Sequence, residues 1–286
     1  LFFHIKELQY HAKPDCPDPV FARRLQEVLG GQFGEITVAM QYLFQGWNVR
    51  GDGKYKDLLM DTATEELAHV EMLATMIARL LENAPMETLE QAMGDPVVAA
   101  IIGGSNPQHA IVTGLGAAPS DSNGYPWNGK YIAASGNLLA DFRMNLTAES
   151  QGRLQVSRLY QMTNDRGVRD MLSWLLARDT MHQNQWIAAI RELEEKEGVI
   201  VPSTFPKECE IQAVSHVLYN FSRGDASACG PWAQGTAPDG GTFQYVAHPE
   251  PLAPAPQLPP APPYVFDTPP HVLRDQNPGP HQPPMA

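Results

Sequence analysis

Glu66 and His69 stand three residues apart within a long helical pattern, and Asp179 and His182 repeat that spacing far downstream. On a helix, positions i and i+3 share one face, so a carboxylate and an imidazole at this spacing reach the same point. The stripe around Glu66 holds Leu59, Thr62, Leu73, Met76 and Leu80, which are mostly apolar. A carboxylate among such neighbours is costly unless it is paired or bound to a metal. One acid-x-x-His alone is weak evidence and reads more readily as a solvated helix face, because exposed charge is the ordinary case. Glu35 and Glu149 tip the balance: 31 residues separate Glu35 from Glu66, and 30 separate Glu149 from Asp179. Each half of the chain thus offers a carboxylate followed by an acid-x-x-His.

Four helical segments must bring these residues together. Asp18 followed by Pro19 is a helix start, an N-cap and then proline at the first helical position. Phe21, Leu25, Val28, Gln32, Glu35, Ala39 and Tyr42 then recur every three or four residues, which predicts one helix from 19 to about 47 with Glu35 in mid-stripe. Gly30, Gly31 and Gly34 each cost about 1 kcal/mol in a helix relative to alanine, and suit a place where another backbone packs closely. A second helix is expected from about 54 to 83, and a third from about 135 to 164 with Leu138, Phe142, Asn145, Glu149, Arg153, Val156 and Tyr160 on one face. Asp165 caps a fourth, whose stripe includes Val168, Leu172, Leu175, Asp179, His182 and Trp186, and Gly198 ends it. Residues 84–134 lack a long periodic pattern and read as a crossover between helices two and three.

The expected fold class is therefore all-α: a ferritin-like four-helix bundle over 19–200, a polar segment over 1–18, and an irregular C-terminal arm and tail over 201–286. In that last region 14 of the 26 prolines fall within 249–284. From Gly230 onward the composition argues against a helix or a central strand. Tyr245, Tyr264, Val265 and Phe266 would anchor an arm laid over a neighbouring subunit.

Such a bundle sets four carboxylates and two imidazoles at one level of its core, the ligand set of carboxylate-bridged dinuclear iron and manganese proteins. Oxygen and imidazole donors without thiolates suit manganese, iron or zinc rather than copper. Asp179 is one methylene shorter than glutamate and reaches less far toward a metal. Five ligands follow: Glu35 and His69 for one ion, Glu149 and His182 for the other, and Glu66 as the bridge. The net charge of −12 argues against a nucleic-acid surface. No stretch approaches the roughly 18 apolar residues that span a bilayer. Cys16, Cys209 and Cys229 are too few and too scattered for a disulfide framework, and with an opening segment charged too early for a secretory leader they point to the cytoplasm.

Several stretches carry a closer likeness: Phe3-His4-Ile5-Lys6-Glu7-Leu8-Gln9-Tyr10, Gly31-Gln32-Phe33-Gly34-Glu35, Glu65-Glu66-Leu67-Ala68-His69, the pair Glu149 and His182, and Asn220-Phe221-Ser222-Arg223-Gly224. In these the chain resembles the non-haem manganese catalases, over most of its length. The resemblance implies disproportionation of hydrogen peroxide to water and dioxygen, a homohexamer, and Glu35, Glu66, His69, Glu149 and His182 as ligands of two manganese ions. It implies that Asp179, where the family usually has glutamate, relays protons; the alternative is a buried acid paired with arginine. Tyr42 matches a tyrosine that hydrogen-bonds beside the site, or else is a core aromatic. Some members carry a basic residue where this chain has Ala148, and Arg153, one turn past Glu149, is its substitute or an ordinary surface pair. Asp57 and Asp61 with Asn220, Ser222 and Gly224 match a calcium site, while the two aspartates also suit a helix start. A di-iron peroxidase or oxygenase, and a silent spore-coat-like member, are the competing functions.

Overall fold

Asp18 starts the first helix as expected: its Oδ1 accepts the Phe21 N–H at 2.9 Å, and α1 runs Pro19–Gly30. The chain then leaves the helix, and α2, Glu35–Asn48, begins after a break. The single helix expected from 19 to about 47 is thus two. Gly31 and Gly34 adopt extended backbone, with ψ of 175° and 170°. Glycine gains least from helix and leaves it at least cost. Close backbone packing is found at Gly30, where an added Cβ would lie 2.5 Å from the Ser120 carbonyl oxygen. Gln26 holds that loop in place, donating from Nε2 to the carbonyls of Ala118 and Ser120 at 2.7 and 2.8 Å. The break puts Glu35 in the first turn of α2, where the free N–H groups favour a carboxylate.

The computed structural model describes residues 3–83, 104, 106–262 and 265, in two units that divide after Phe205. In the first unit, α3 spans Gly53–Leu80, capped by Asp52. A short α4, Pro107–Ile111, follows, then α5, Leu138–Gln161, capped by Asn137. The last helix, α6, is Arg166–Glu197, with Asp165 accepting the Val168 N–H and Gly198 closing it at φ 64°. Among the described residues, no helix is long and apolar enough to cross a membrane.

Two apolar clusters pack these helices. One gathers Phe21 and Leu25 of α1, Leu73 and Leu80 of α3, Val156 of α5, and Val168 and Leu172 of α6. The other gathers Tyr42 of α2, Tyr55 and Leu59 of α3, Phe142 of α5, and Trp186 and Leu193 of α6. Each large side chain so buried contributes about 1.5–3 kcal/mol. Along every long helix the polar candidates fall between the two clusters: Glu66 and His69 between Leu59 and Leu73, Glu149 between Phe142 and Val156, Asp179 and His182 between Leu172 and Trp186. The same order shows that α3 and α5 run in one direction and α6 in the other. Of the crossover expected over 84–134, residues 84–103 and 105 lie outside the described residues.

The second unit holds a three-stranded sheet in the order β1-β3-β2. Its strands are β1, Val217–Asn220, β2, Gly235–Thr236, and β3, Thr242–Ala247, with β1 parallel and β2 antiparallel to β3. A central strand after Gly230 is contrary to expectation. Its sequence Thr-Phe-Gln-Tyr-Val-Ala is free of glycine and proline and rich in strand formers, a short window that the surrounding composition conceals. Asp239 ties the unit together, meeting Lys207 Nζ at 3.0 Å, His216 Nε2 at 2.9 Å and the Gly241 N–H at 3.1 Å. Residues 249–262 are exposed and without helix or strand, except that Pro249 is half-buried. Of the proposed arm anchors, Tyr264 and Phe266 lie outside the described residues.

Candidate metal centre

Four helices deliver the five expected ligands to one place. Glu35, Glu66 and His69 form one group whose potential ligand atoms all lie within 4.8 Å of one another, and Glu66, Glu149 and His182 form a second. Glu66 belongs to both. Its Oε2 is 2.6 Å from His69 Nδ1, and its Oε1 is 2.8 Å from His182 Nδ1. Glu35 Oε2 approaches His69 Nδ1 at 3.7 Å, and Glu149 Oε1 approaches His182 Nδ1 at 3.6 Å. The two imidazoles stack with centroids 5.8 Å apart. Glu66 and both histidines are at most 1% exposed.

His69 Nδ1 and Glu66 Oε2 hydrogen-bond each other, but not every polar atom here finds such a partner. Glu66 Oε1 and His182 Nδ1 are 2.8 Å apart yet form no hydrogen bond, and neither has another partner among the described residues. Buried donors and acceptors are nearly always paired, so ligand-type atoms that converge without bonding suit a cation between them. Burial, reinforced by Glu66, pushes the Glu35 carboxyl well above the usual carboxylate range, and raises Glu149 in the same way. Burial alone would also raise Glu66, but the charges of His69 and His182 outweigh it and hold this carboxyl low. Both imidazoles feel the converse: burial would lower them, and Glu66 with its neighbours holds them above the usual histidine range. The donor set is three carboxylates and two imidazoles without a thiolate, which fits manganese or iron.

The other expected residues divide. Tyr42 is fully buried and donates to Glu149 Oε1 at 2.5 Å, while its ring packs on Trp186. Asp179 is buried with Oδ2 unpartnered among the described residues, and burial, then Glu149 and Glu66, push its carboxyl up to about 8. No ion pair joins Asp179 to an arginine among the described residues. Arg153 donates to the Leu176 carbonyl, and forms no ion pair with Glu149 among the described residues. Asp57 and Asp61 are exposed on α3. In the second unit, Asn220 Oδ1 accepts from Ser222 N–H and Oγ at 2.8 and 3.0 Å, and Asn220 Nδ2 donates to the Gly224 carbonyl at 2.8 Å.

A family model described as manganese containing catalase matches residues 1–278. The chain belongs to the manganese catalase family. The manganese catalase of Bacillus subtilis (strain 168) is 66% identical over 268 residues, covering 94% of this chain and 98% of that one. The manganese catalase of Lactiplantibacillus plantarum is 53% identical over 267 residues, covering 93% and 99%. Among solved structures, wild-type KatB, a manganese catalase from Anabaena, matches with a TM-score of 0.69 at 29% identity, covering 87% of this chain and 100% of that one. The chain is thus an enzyme, a manganese catalase, and the two buried Glu/His groups are consistent with the dimetal site that such an enzyme needs.

Several residues of this manganese catalase's site escape a reading of the sequence. Glu65, the residue before Glu66, faces the far side of both imidazoles, and Arg178, the residue before Asp179, pairs with it at 2.6 Å. Gln41, Gln45 and Asn145 form a buried amide cluster one turn from Glu149, with Gln41 Nε2 and Gln45 Nε2 each donating to Asn145 Oδ1 at 2.8 Å. Gln41 Oε1 and Gln45 Nε2 also bind the backbone of Ala133, fixing the chain that enters α5. Asn145 stood in an apolar stripe, which is the signal that it has a partner; Glu65 and Arg178 showed only as charges beside the expected ligands.

Proposed function

We propose that the centre is dinuclear, with Glu35 and His69 holding one manganese, Glu149 and His182 the other, and Glu66 bridging them, and that it disproportionates hydrogen peroxide. The observation that carries this reading is Glu66, buried, with one oxygen turned to each histidine. In each turnover one peroxide takes up two electrons and two protons to give two waters, and the other yields two electrons and two protons as dioxygen. Manganese, when bound, supplies the reversible two-electron change. The protein must hold the protons between the halves.

Asp179 is suited to that task. Among the described residues its Oδ2 has no partner, and in the metal-free protein burial, then Glu149 and Glu66, raise its carboxyl to about 8, within reach of neutral pH. Tyr42 fixes Glu149 through Oε1, the oxygen that also approaches His182 Nδ1. The apolar clusters on either side keep bulk water from the layer, which strengthens every electrostatic interaction inside it.

The reading extends to a long crossover joining α3 to α5, a homohexamer bound through the C-terminal arm, and a reducing cytoplasm, which suits three free cysteines. Calcium is proposed on donor type alone, from the oxygens of Asp57, Asp61, Asn220, Ser222 and Gly224. Metal analysis combined with oxygen release from peroxide tests the whole: two manganese per chain and one dioxygen per two peroxides support it. Iron in place of manganese, or loaded protein without oxygen release, would overturn it.

A further inference from the structure

The two halves of the site differ at one telling position. In α3 the residue before the ligand carboxylate is Glu65; in α6 the residue at the equivalent place, before Asp179, is Arg178. These two meet. Arg178 Nε and Nη2 grip Glu65 Oε1 and Oε2 at 2.6 and 3.1 Å, a two-pronged fork. The same carboxylate hydrogen-bonds His182 Nε2 through Oε2 at 3.2 Å, while its Oε1 lies 3.6 Å from His69 Nε2, close enough for charge attraction but not a hydrogen bond. The Nδ1 atoms of both rings point the other way, to Glu66.

We infer that Glu65, held by Arg178, is a single positioning residue for both metal-binding imidazoles. Hydrogen-bonded to Glu65, His182 Nε2 stays the proton donor, and the same negative charge 3.6 Å from His69 Nε2 favours the proton there too, so each ring presents the lone pair of Nδ1 toward the metal. Two separate partners would let each ring turn alone; one shared carboxylate ties their orientations together. The guanidinium cancels the added charge, so the arrangement orients the rings without loading a fourth net negative charge onto the buried layer. Arg178 is only partly exposed, and a planar fork fixes the carboxylate plane in a way that an ammonium cannot. Trp174 limits the remaining freedom of His69, edge-on at 5.4 Å.

This inference rests on the ligand assignment above, and the test separates the two. Manganese affinity is measured by equilibrium dialysis of the full chain, with the electron paramagnetic resonance spectrum of the loaded Mn(II) pair. Wild-type protein that fails to hold two manganese defeats the ligand assignment itself. Given two in the wild type, Glu65→Ala should weaken both ions together, by about 10–100-fold, the usual effect of losing a partner behind a ligand. Glu65→Gln keeps the shape but offers one acceptor oxygen, so it should split the two ions into a tighter and a weaker one and alter the spectrum. Arg178→Ala should mimic Glu65→Ala, with partial recovery in Arg178→Lys. Wild-type affinity and spectrum in Glu65→Gln, or loss confined to one ion in Glu65→Ala, would overturn the shared role.

Discussion

Loading the centre should release protons, and their number follows from the structure. In the metal-free protein, Glu66 and the surrounding carboxylates hold His69 and His182 above the usual histidine range, so both carry a proton at neutral pH. Each must surrender the one on Nδ1 before that atom can bind a metal. Burial also raises Glu35 and Glu149, which adds to the count whatever fraction of these is protonated. Loading both sites should therefore displace at least about two protons and at most about four, one from each of these groups. The sign is fixed: groups raised above the working pH bind protons more tightly in the empty site, so manganese affinity rises with pH and falls on acidification. Two protons over two pH units change the overall binding constant about 10⁴-fold, or about 5 kcal/mol. Calorimetric titration at one pH in buffers of different ionisation enthalpy counts the protons directly. Dialysis at pH 6 and pH 8 checks the affinity. A count below one proton, or an affinity flat across that range, would refute histidine ligation through Nδ1.

Asp179→Asn should retain both manganese ions and lose turnover by about 100-fold or more, the usual contribution of a positioned acid-base group; metal analysis alongside oxygen release reads both, and full turnover in the loaded variant removes Asp179 from the proton path. Tyr42→Phe deletes the donor to Glu149 in a fully buried place, and should cost about 1.5–3 kcal/mol in stability or metal affinity, measured by denaturant unfolding and dialysis. Gly30→Ala would drive a methyl to 2.5 Å from the Ser120 carbonyl oxygen, so thermal unfolding should show a loss of about 1–3 kcal/mol with metal content kept.

What the sequence disclosed was what local rules control. Asp18 and Asp165 were legible as caps because an N-cap needs only its own next three residues. The acid-x-x-His pairs were legible because helical spacing alone puts both side chains on one face. The break before Glu35 was hidden by a stripe that keeps its period across residues 31–34, although the glycines marked the place. Strand β3 was hidden by its setting, a six-residue window with four strand formers in a proline-rich region. Glu65 and Arg178 are 113 residues apart, and only the packing of α3 against α6 makes them partners. Arg153 shows the limit of spacing: one turn past Glu149 on the helix, its long side chain reaches instead to the Leu176 carbonyl.

Glu66 is the residue on which the dinuclear assignment turns. Anomalous scattering at the manganese edge from crystals of the loaded protein tests it most directly. Two peaks should flank Glu66, one on the side of Glu35 and His69 and one on the side of Glu149 and His182. A single peak, or manganese bound away from Glu66, would contradict the bridge.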